Sequence, residues 1–398
     1  MTKSSVAGLF AGLIGLSVLI AINANFARQS PGGSDFVPRW VGARDYFLKG
    51  WSPYSAETTQ DIHAVFYGRA ALPGEDQVLY VYPLYSLIVF APFALFSDYV
   101  LARAVWMTVL ELALVALAVV SVRLTQWRMS GWLLISYIVF AALWYHGVRP
   151  VINGNAVVVC GLFIALGLAL VRAEKDLSAA ALFALASIKP QVVALFIPCV
   201  LWWAITHRRW RLVVGLGAAF LSLMLGAMLL QPDWLVQNIR QILSYPTYTE
   251  PGTPAEAFAR WWPQAGPWLG GALTIGLGVL LAREGWLARR SGFPGLLWLS
   301  SLTLVVTQLI GIRTDPTNFI MLFLPVALVG SELSRQWGDR VVAGLLLVLL
   351  IGLWLLFIAT IARGAQPVQN PVMFFPLPGL LIAGLYLVRR RFINDDHQ

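Results

Sequence analysis

The sequence predicts an all-α fold, a polytopic transmembrane helix bundle of about 12 spans resembling a stack of bilayer-length helices. Three observations predict it. Hydrophobic residues make up 59% of the 398 and charged residues 12%, about half the charge of an average soluble protein. Mean hydropathy is +0.73. The apolar runs have the length of helices rather than the short alternation of barrel strands. The chain reads as one integral membrane domain over 1–398, without internal repeats or low-complexity tracts.

Taken in order, Lys3 and the apolar run Val6 to Ile22 predict an uncleaved first transmembrane helix over 6–26; a signal peptide's apolar core is shorter, about 7–15 residues. Further spans are expected at 99–122, 131–146, 155–172, 178–206 (as a broken pair), 212–231, 267–282, 294–311, 317–333, 341–362 and 374–388. The run Leu84 to Phe96 has 13 residues, short of the about 20 that a crossing needs. If it crossed, every later loop would change side. The distribution of basic residues decides against that. With 84–97 re-entrant or on the surface, Arg123/Arg128, Arg172/Lys175, Arg208/Arg209/Arg211, Arg283/Arg289/Arg290, Arg335/Arg340 and Arg389/Arg390/Arg391 all fall on the side of Lys3.

Both termini are therefore expected in the cytoplasm, with the protein in the cytoplasmic membrane. Segment 27–98 becomes the first large outer loop and 232–266 the second, with shorter outer loops at 147–154, 312–316 and 363–373. Loop mass gathered on one face places the work there. The surplus of 28 basic over 19 acidic residues follows from the same asymmetry and calls for membrane lipids, not nucleic acid. Cys160 and Cys199 lie in apolar spans and, with four scattered histidines, supply neither a disulfide framework nor a metal site.

The first outer loop opens with Ser34-Asp-Phe-Val-Pro-Arg-Trp and closes its first helix at Gly50. Pro38 suits a helix start and Gly50 its end. Trp40, Phe47 and Leu48 form an apolar side, and Arg39, Arg44 and Lys49 a polar one, predicting an amphipathic helix on the membrane surface. Asp35 stands just ahead, beside Phe36 and Trp40, as a candidate general base. The plainer readings are a helix-start acid or an i,i+4 partner of Arg39. Asp45 reads as a solvated charge, and Asp61, His63, Glu75 and Asp76 show no ligand spacing.

Four further stretches carry chemistry. Tyr80-Val-Tyr82-Pro-Leu-Tyr85 is an interfacial aromatic belt or the wall of an acceptor groove. Asn153-Gly-Asn155, with His146 and Arg149 upstream, suits a tight turn or hydrogen bonds to sugar hydroxyls. Lys189-Pro-Gln191 interrupts the apolar stretch Ala179 to Ile205. A cation there must face a cavity or a partner, and Pro190 frees backbone groups in a way that suits a cavity lining; a lipid phosphate would satisfy Lys189. The alternative is a lysine snorkelling to the interface. In Arg313-Thr-Asp-Pro-Thr-Asn318, Arg313 either clamps a phosphate or forms a surface pair with Asp315.

The order Asp35-Phe36, Gly50-Trp-Ser-Pro-Tyr54, Tyr82-Pro83, an apolar run, Gly154-Asn155 and Lys189-Pro190 resembles the integral-membrane C-type glycosyltransferases. Within them it is most similar to glycosyltransferase family 87, the polyprenol-phosphate-mannose-dependent mannosyltransferases of bacterial lipoglycan synthesis. The resemblance covers mainly 6–212. It implies transfer of a hexose, mannose in the first place, from a polyprenyl-phosphate-linked donor to a lipid-linked or glycan acceptor on the outer face. The family's base, an acid of the first outer loop, maps onto Asp35. A Lys-Pro matching Lys189-Pro190 recurs in the family. The chain departs from the family pattern where Gly154-Asn-Ala-Val157 replaces Gly-Gln-x-Asn, and where Arg313-Thr-Asp-Pro-Thr-Asn318 stands for a late Ser-Pro…Trp…His-His signature. Those departures bear on the identity of sugar and acceptor.

The resulting expectation is an inverting transferase with Asp35 as base and Lys189, with Arg313 or Arg149, on the departing phosphate. Asn153, Asn155, Arg44 and Tyr82 are further substrate contacts, and no cofactor is required. Two rivals remain. A transporter or lipid flippase of envelope biogenesis would use Lys189 and ionisable residues on other spans, chiefly Glu111. A structural subunit of an envelope complex would leave Asp35 freely replaceable.

Overall fold

A computed structural model of the chain describes residues 3–249, 252–363 and 370–393. The loop expected at 363–373 lies outside the described residues over 364–369. Among the described residues every regular element is helical and there is no strand. Seven helices are long and apolar enough to cross a membrane, or eight if the bent pair Gly131–Leu143 and Tyr145–Asn153 counts as one. Every stretch read as a span is mainly apolar helix, with 131–146, 178–206 and 317–333 each made of more than one helical piece. Val157–Arg172, Asp176–Ala186 and Phe293–Thr307 have 16, 11 and 15 residues, below the usual length of a spanning helix. By length and composition, seven or eight of the about 12 expected spans are candidates for crossing a membrane. The Leu84–Phe96 run is a single turn, Leu84–Ser86, leading into the eight-residue helix Leu87–Ala94. At 1.5 Å per residue that helix is about 12 Å long, far short of a bilayer core of about 30 Å.

The chain divides into two compact units. One comprises Met1–Ala113, Val151–Ala156 and Gly226–Thr249; the other comprises Leu114–Pro150, Val157–Leu225 and Glu250–Gln398.

The first unit is built around Phe36, which is fully buried. Its ring stacks on Trp106 at 5.8 Å and on Tyr99 at 6.2 Å, and meets Phe93 edge-on at 5.8 Å. The helix expected from Pro38 runs over Val37–Arg44, continues as a wider turn over Asp45–Lys49, and ends at Gly50 with φ +72. Its setting differs from the expected surface position. Val37 through Ala43 are all buried, Arg39 included, while only the Phe47–Gly50 end is exposed. The Leu87–Ala94 helix covers it: Trp40 Nε1 donates to the Phe93 carbonyl at 3.1 Å, and Arg44 Nη1 donates to the carbonyls of Ala94 and Phe96 at 2.9 and 2.7 Å. Asp45 is likewise not a solvated charge. It is 3% exposed and pairs with Lys49 at 2.9 Å, and burial pushes its carboxyl above the ordinary range.

The amphipathic helix of this unit is Trp234–Ser244, in the second long loop. Trp234 and Asn238 point inward, and Val236, Ile239 and Leu243 are exposed. Asn238 Nδ2 donates to the carbonyls of Val81 and Tyr82 at 3.2 and 3.0 Å, so the two long loops are bonded together.

The second unit holds its buried carboxylates in ion pairs. Glu284 meets Arg389 at 2.8 Å, Glu332 meets Arg335 and Arg391 at 2.5 and 2.6 Å, and Asp176 meets Arg209 at 2.5 Å. Arg335 thus closes the end of its own helix, while Arg389, Arg391 and Arg209 tie the ends of different helices together.

Candidate active site

The turn that carries Asp35 is fixed by glycine. Gly33 has φ +80, and a Cβ there would lie 2.4 Å from Tyr99 Oη, so no other residue fits. The Gly33 carbonyl accepts from the amides of Phe36 and Val37 at 2.7 and 2.9 Å. The Asp35 amide donates to the Asn153 carbonyl at 3.1 Å. A second glycine answers it: Gly154 has φ +72, and a Cβ there would lie 2.5 Å from Phe36 Cβ. Its carbonyl accepts from Trp106 Nε1 at 2.8 Å. Arg103, 1% exposed, joins the two turns by donating to the carbonyls of Ser30 and Ile152 at 2.7 and 3.1 Å.

These turns bring the side chain of Asn155 to Asp35. Asn155 Nδ2 donates to Asp35 Oδ2 at 3.1 Å. Asp35 is half-buried. Among the described residues its carboxylate has no other hydrogen bond and no ion pair. The helix start is Phe36, without a side-chain cap, and Arg39 is not the ion-pair partner of Asp35. Both plainer readings of this acid therefore fall. What remains is a carboxylate with one oxygen held by an amide and the other uncommitted, an arrangement able to take a proton from a hydroxyl.

Arg39 sits one helical turn further on. It is 6% exposed, its guanidinium lies over the Tyr82 ring at 3.9 Å, and its Nε has no hydrogen bond. Among the described residues no carboxylate pairs with it. A buried cation that is balanced only by an aromatic face is costly and is suited to receive an anion. Tyr82 is 4% and Tyr80 0% exposed, so this aromatic stretch is core and not an interfacial belt. Tyr80 Oη and Ser86 Oγ are bonded at 2.7 Å, and the Tyr54 hydroxyl donates to the Tyr82 carbonyl at 2.7 Å. Burial pushes the Tyr80 phenol up to about 12 and the Tyr54 phenol higher still.

Of the other expected site residues, Asn153 contributes its backbone carbonyl to the Asp35 turn, and Arg44 serves the end of the Leu87–Ala94 helix. Lys189, Arg149 and Arg313 belong to the second unit. Lys189 is 4% exposed and donates to Asn318 Oδ1 at 2.6 Å, so it does not snorkel. Asn318 Nδ2 in turn donates to Thr314 Oγ1 at 3.1 Å, and Thr314 donates to Gln308 Oε1 at 2.7 Å. The helix break that Pro190 imposes places this lysine inside the protein. Arg149 and Arg313 are half-buried.

A sequence model of glycosyltransferase family 87 matches residues 80–312, more than half of the chain. The chain belongs to glycosyltransferase family 87. It is a membrane glycosyltransferase by that membership and by its apolar helices. No curated protein and no solved structure matches it. In this family 87 protein the matched region contains Tyr82, Asn153, Asn155 and Lys189, whereas Asp35 and Arg39 precede it. Three residues escaped the sequence reading: Arg39 as an inward-facing cation, Arg103, and Asn318 as the acceptor for Lys189. Arg103 carried a signal, since a lone arginine within an apolar span demands partners.

Proposed function

We propose that this family 87 protein is an inverting hexosyltransferase. It moves a sugar, mannose first among the candidates, from a polyprenyl-phosphate donor to a lipid-linked or glycan acceptor. The reaction takes place at the outer face of the cytoplasmic membrane, and both termini are cytoplasmic. The acceptor oxygen attacks the anomeric carbon and forms the new C–O bond, while the bond from that carbon to the phosphate oxygen breaks. The electron pair leaves with the polyprenyl phosphate, and the proton of the acceptor hydroxyl passes to Asp35. Asn155 holds Asp35 in place, and Arg39 supplies countercharge to the phosphate. Lys189 is a separate candidate contact for an anionic headgroup, and Arg149 and Arg313 are sequence-level candidates for the same kind of group.

The observation that carries this reading is the Asp35 carboxylate, clamped on one oxygen by Asn155 and uncommitted on the other. The transporter reading gains nothing comparable: Glu111 accepts from Asn23 at 2.8 Å, and the buried Glu284 and Glu332 are paired with arginines.

Membranes containing the protein, supplied with radiolabelled polyprenyl-phosphate mannose, glucose or arabinose, test the reading. Transfer from one of these donors is expected. Failure with all of them, from protein shown to be inserted and folded, contradicts it. A cysteine replacing Gln60 should react with an impermeant thiol reagent from outside, and one replacing Glu174 should not; the reverse pattern overturns the sidedness.

A further inference from the structure

Where the two long loops of the first unit meet, they leave a groove of about 660 Å³, within the roughly 300–1,000 Å³ of small-ligand sites. One wall carries Ser52 and Tyr54. The other is one face of the Trp234–Ser244 helix with the residue ahead of it, and presents Asp233, Val236, Gln237, Arg240 and Gln241. The spacing explains the wall: Gln237 and Gln241 are one turn apart on one face, with Val236 beside them, while Ile239 and Leu243 are exposed outside it.

The wall is organised but not saturated. Ser52 Oγ donates to Gln237 Oε1 at 2.7 Å, and Gln237 Nε2 donates to Asp233 at 2.5 Å. Gln241 Nε2 donates to the Tyr54 carbonyl at 3.3 Å, while Gln241 Oε1 is buried with no partner. An orphaned buried acceptor costs about 1–3 kcal/mol, and a hydroxyl entering the groove would satisfy it. Arg240 and Asp233 supply one charge of each sign, so the groove has no net attraction for a phosphate. Two amides and a serine both donate and accept, and the carboxylate accepts, as recognition of a polyol requires.

We propose that this groove binds a neutral glycan segment. Resting on the transferase reading, that segment is the carbohydrate of the acceptor.

The test is direct binding, without turnover. Full-length protein in nanodiscs is titrated calorimetrically with mannotriose, maltotriose and cellotriose, and with mannose 6-phosphate as the charged probe. The expected result is that at least one trisaccharide binds, that Asp233→Asn and Gln241→Leu each weaken it about tenfold or more, and that the phosphosugar binds no better. Asp233 is exposed, so its variant retains the fold even if Gln241→Leu does not. No binding of any trisaccharide, binding indifferent to Asp233→Asn, or preference for the phosphosugar overturns the proposal. Trisaccharide binding with the expected losses, but no sugar transfer from any donor, leaves the groove standing and removes the transferase reading.

Discussion

Asn155 Nδ2 donates to Asp35 Oδ2 at 3.1 Å across a separation of 120 residues. The contact exists because two left-handed glycines, Gly33 and Gly154, turn their chains toward each other over the ring of Phe36. A carboxylate anchored through one oxygen keeps its direction while leaving the other oxygen to react.

Removing that anchor should lower turnover without removing substrate. A hydrogen bond to a charged group contributes about 1.5–3 kcal/mol, so Asn155→Ala is expected to reduce kcat roughly 10–100-fold with KM changed less than about twofold. Steady-state kinetics in membranes at matched expression measure both. A rise in KM at unchanged kcat would assign Asn155 to substrate binding instead.

Gly154→Ala should damage the whole first unit. Its φ of +72 and the 2.5 Å approach to Phe36 Cβ combine a backbone cost of about 1–2 kcal/mol with overpacking of about 1–3 kcal/mol. A clear fall in Tm in detergent, with loss of transfer, is the expected outcome. A variant with unchanged Tm would show that the turn is not built as described.

Arg39 should show the opposite balance. Arg39→Met gives up the contact with the Tyr82 ring, about 2 kcal/mol for a desolvated cation, and removes a buried charge that costs more. Tm is therefore expected to stay the same or rise, while transfer falls about 100-fold or more. A destabilised variant with normal transfer per folded molecule would make Arg39 structural.

Acid should loosen the 69–77 loop. Glu75 accepts from Arg69 at 2.7 and 2.8 Å and from the Leu72 amide at 2.7 Å. Arg69 first, and the Leu72 amide second, hold its carboxyl down to about 2. A depressed carboxyl stabilises the fold above its ordinary value of 4.5, and that contribution is lost as pH falls from there toward about 2. A nitroxide at Ala70 should gain mobility across that window in wild type. In Glu75→Gln it should be mobile at every pH. Equal mobility in the two proteins at pH 7 would contradict the role.

The helices were legible because apolar length survives any tertiary arrangement. The helix break at Lys189-Pro190 and the short 84–96 run were legible for the same reason. The Val37–Arg44 helix was misplaced. Counting Arg39 as a polar face assumed that charge seeks water, whereas the guanidinium turns inward onto Tyr82, a residue 43 positions away in sequence. The surface helix was overlooked because Gln237, Asn238 and Gln241 dilute the apolar pattern of Trp234–Ser244. Asp35 is singled out in the sequence by its position after the first span. Its clamp by Asn155, the Arg103 link and the Asn318 acceptor for Lys189 are contacts between distant segments, which no local pattern encodes.

The central claim is that Asp35 takes the acceptor's proton. Sugar transfer from radiolabelled polyprenyl-phosphate mannose, compared in membranes between wild type and Asp35→Asn at matched expression and equal Tm, tests it most directly. The account predicts transfer in wild type and a loss of at least about 100-fold in the variant. Transfer that persists unchanged in Asp35→Asn would contradict it.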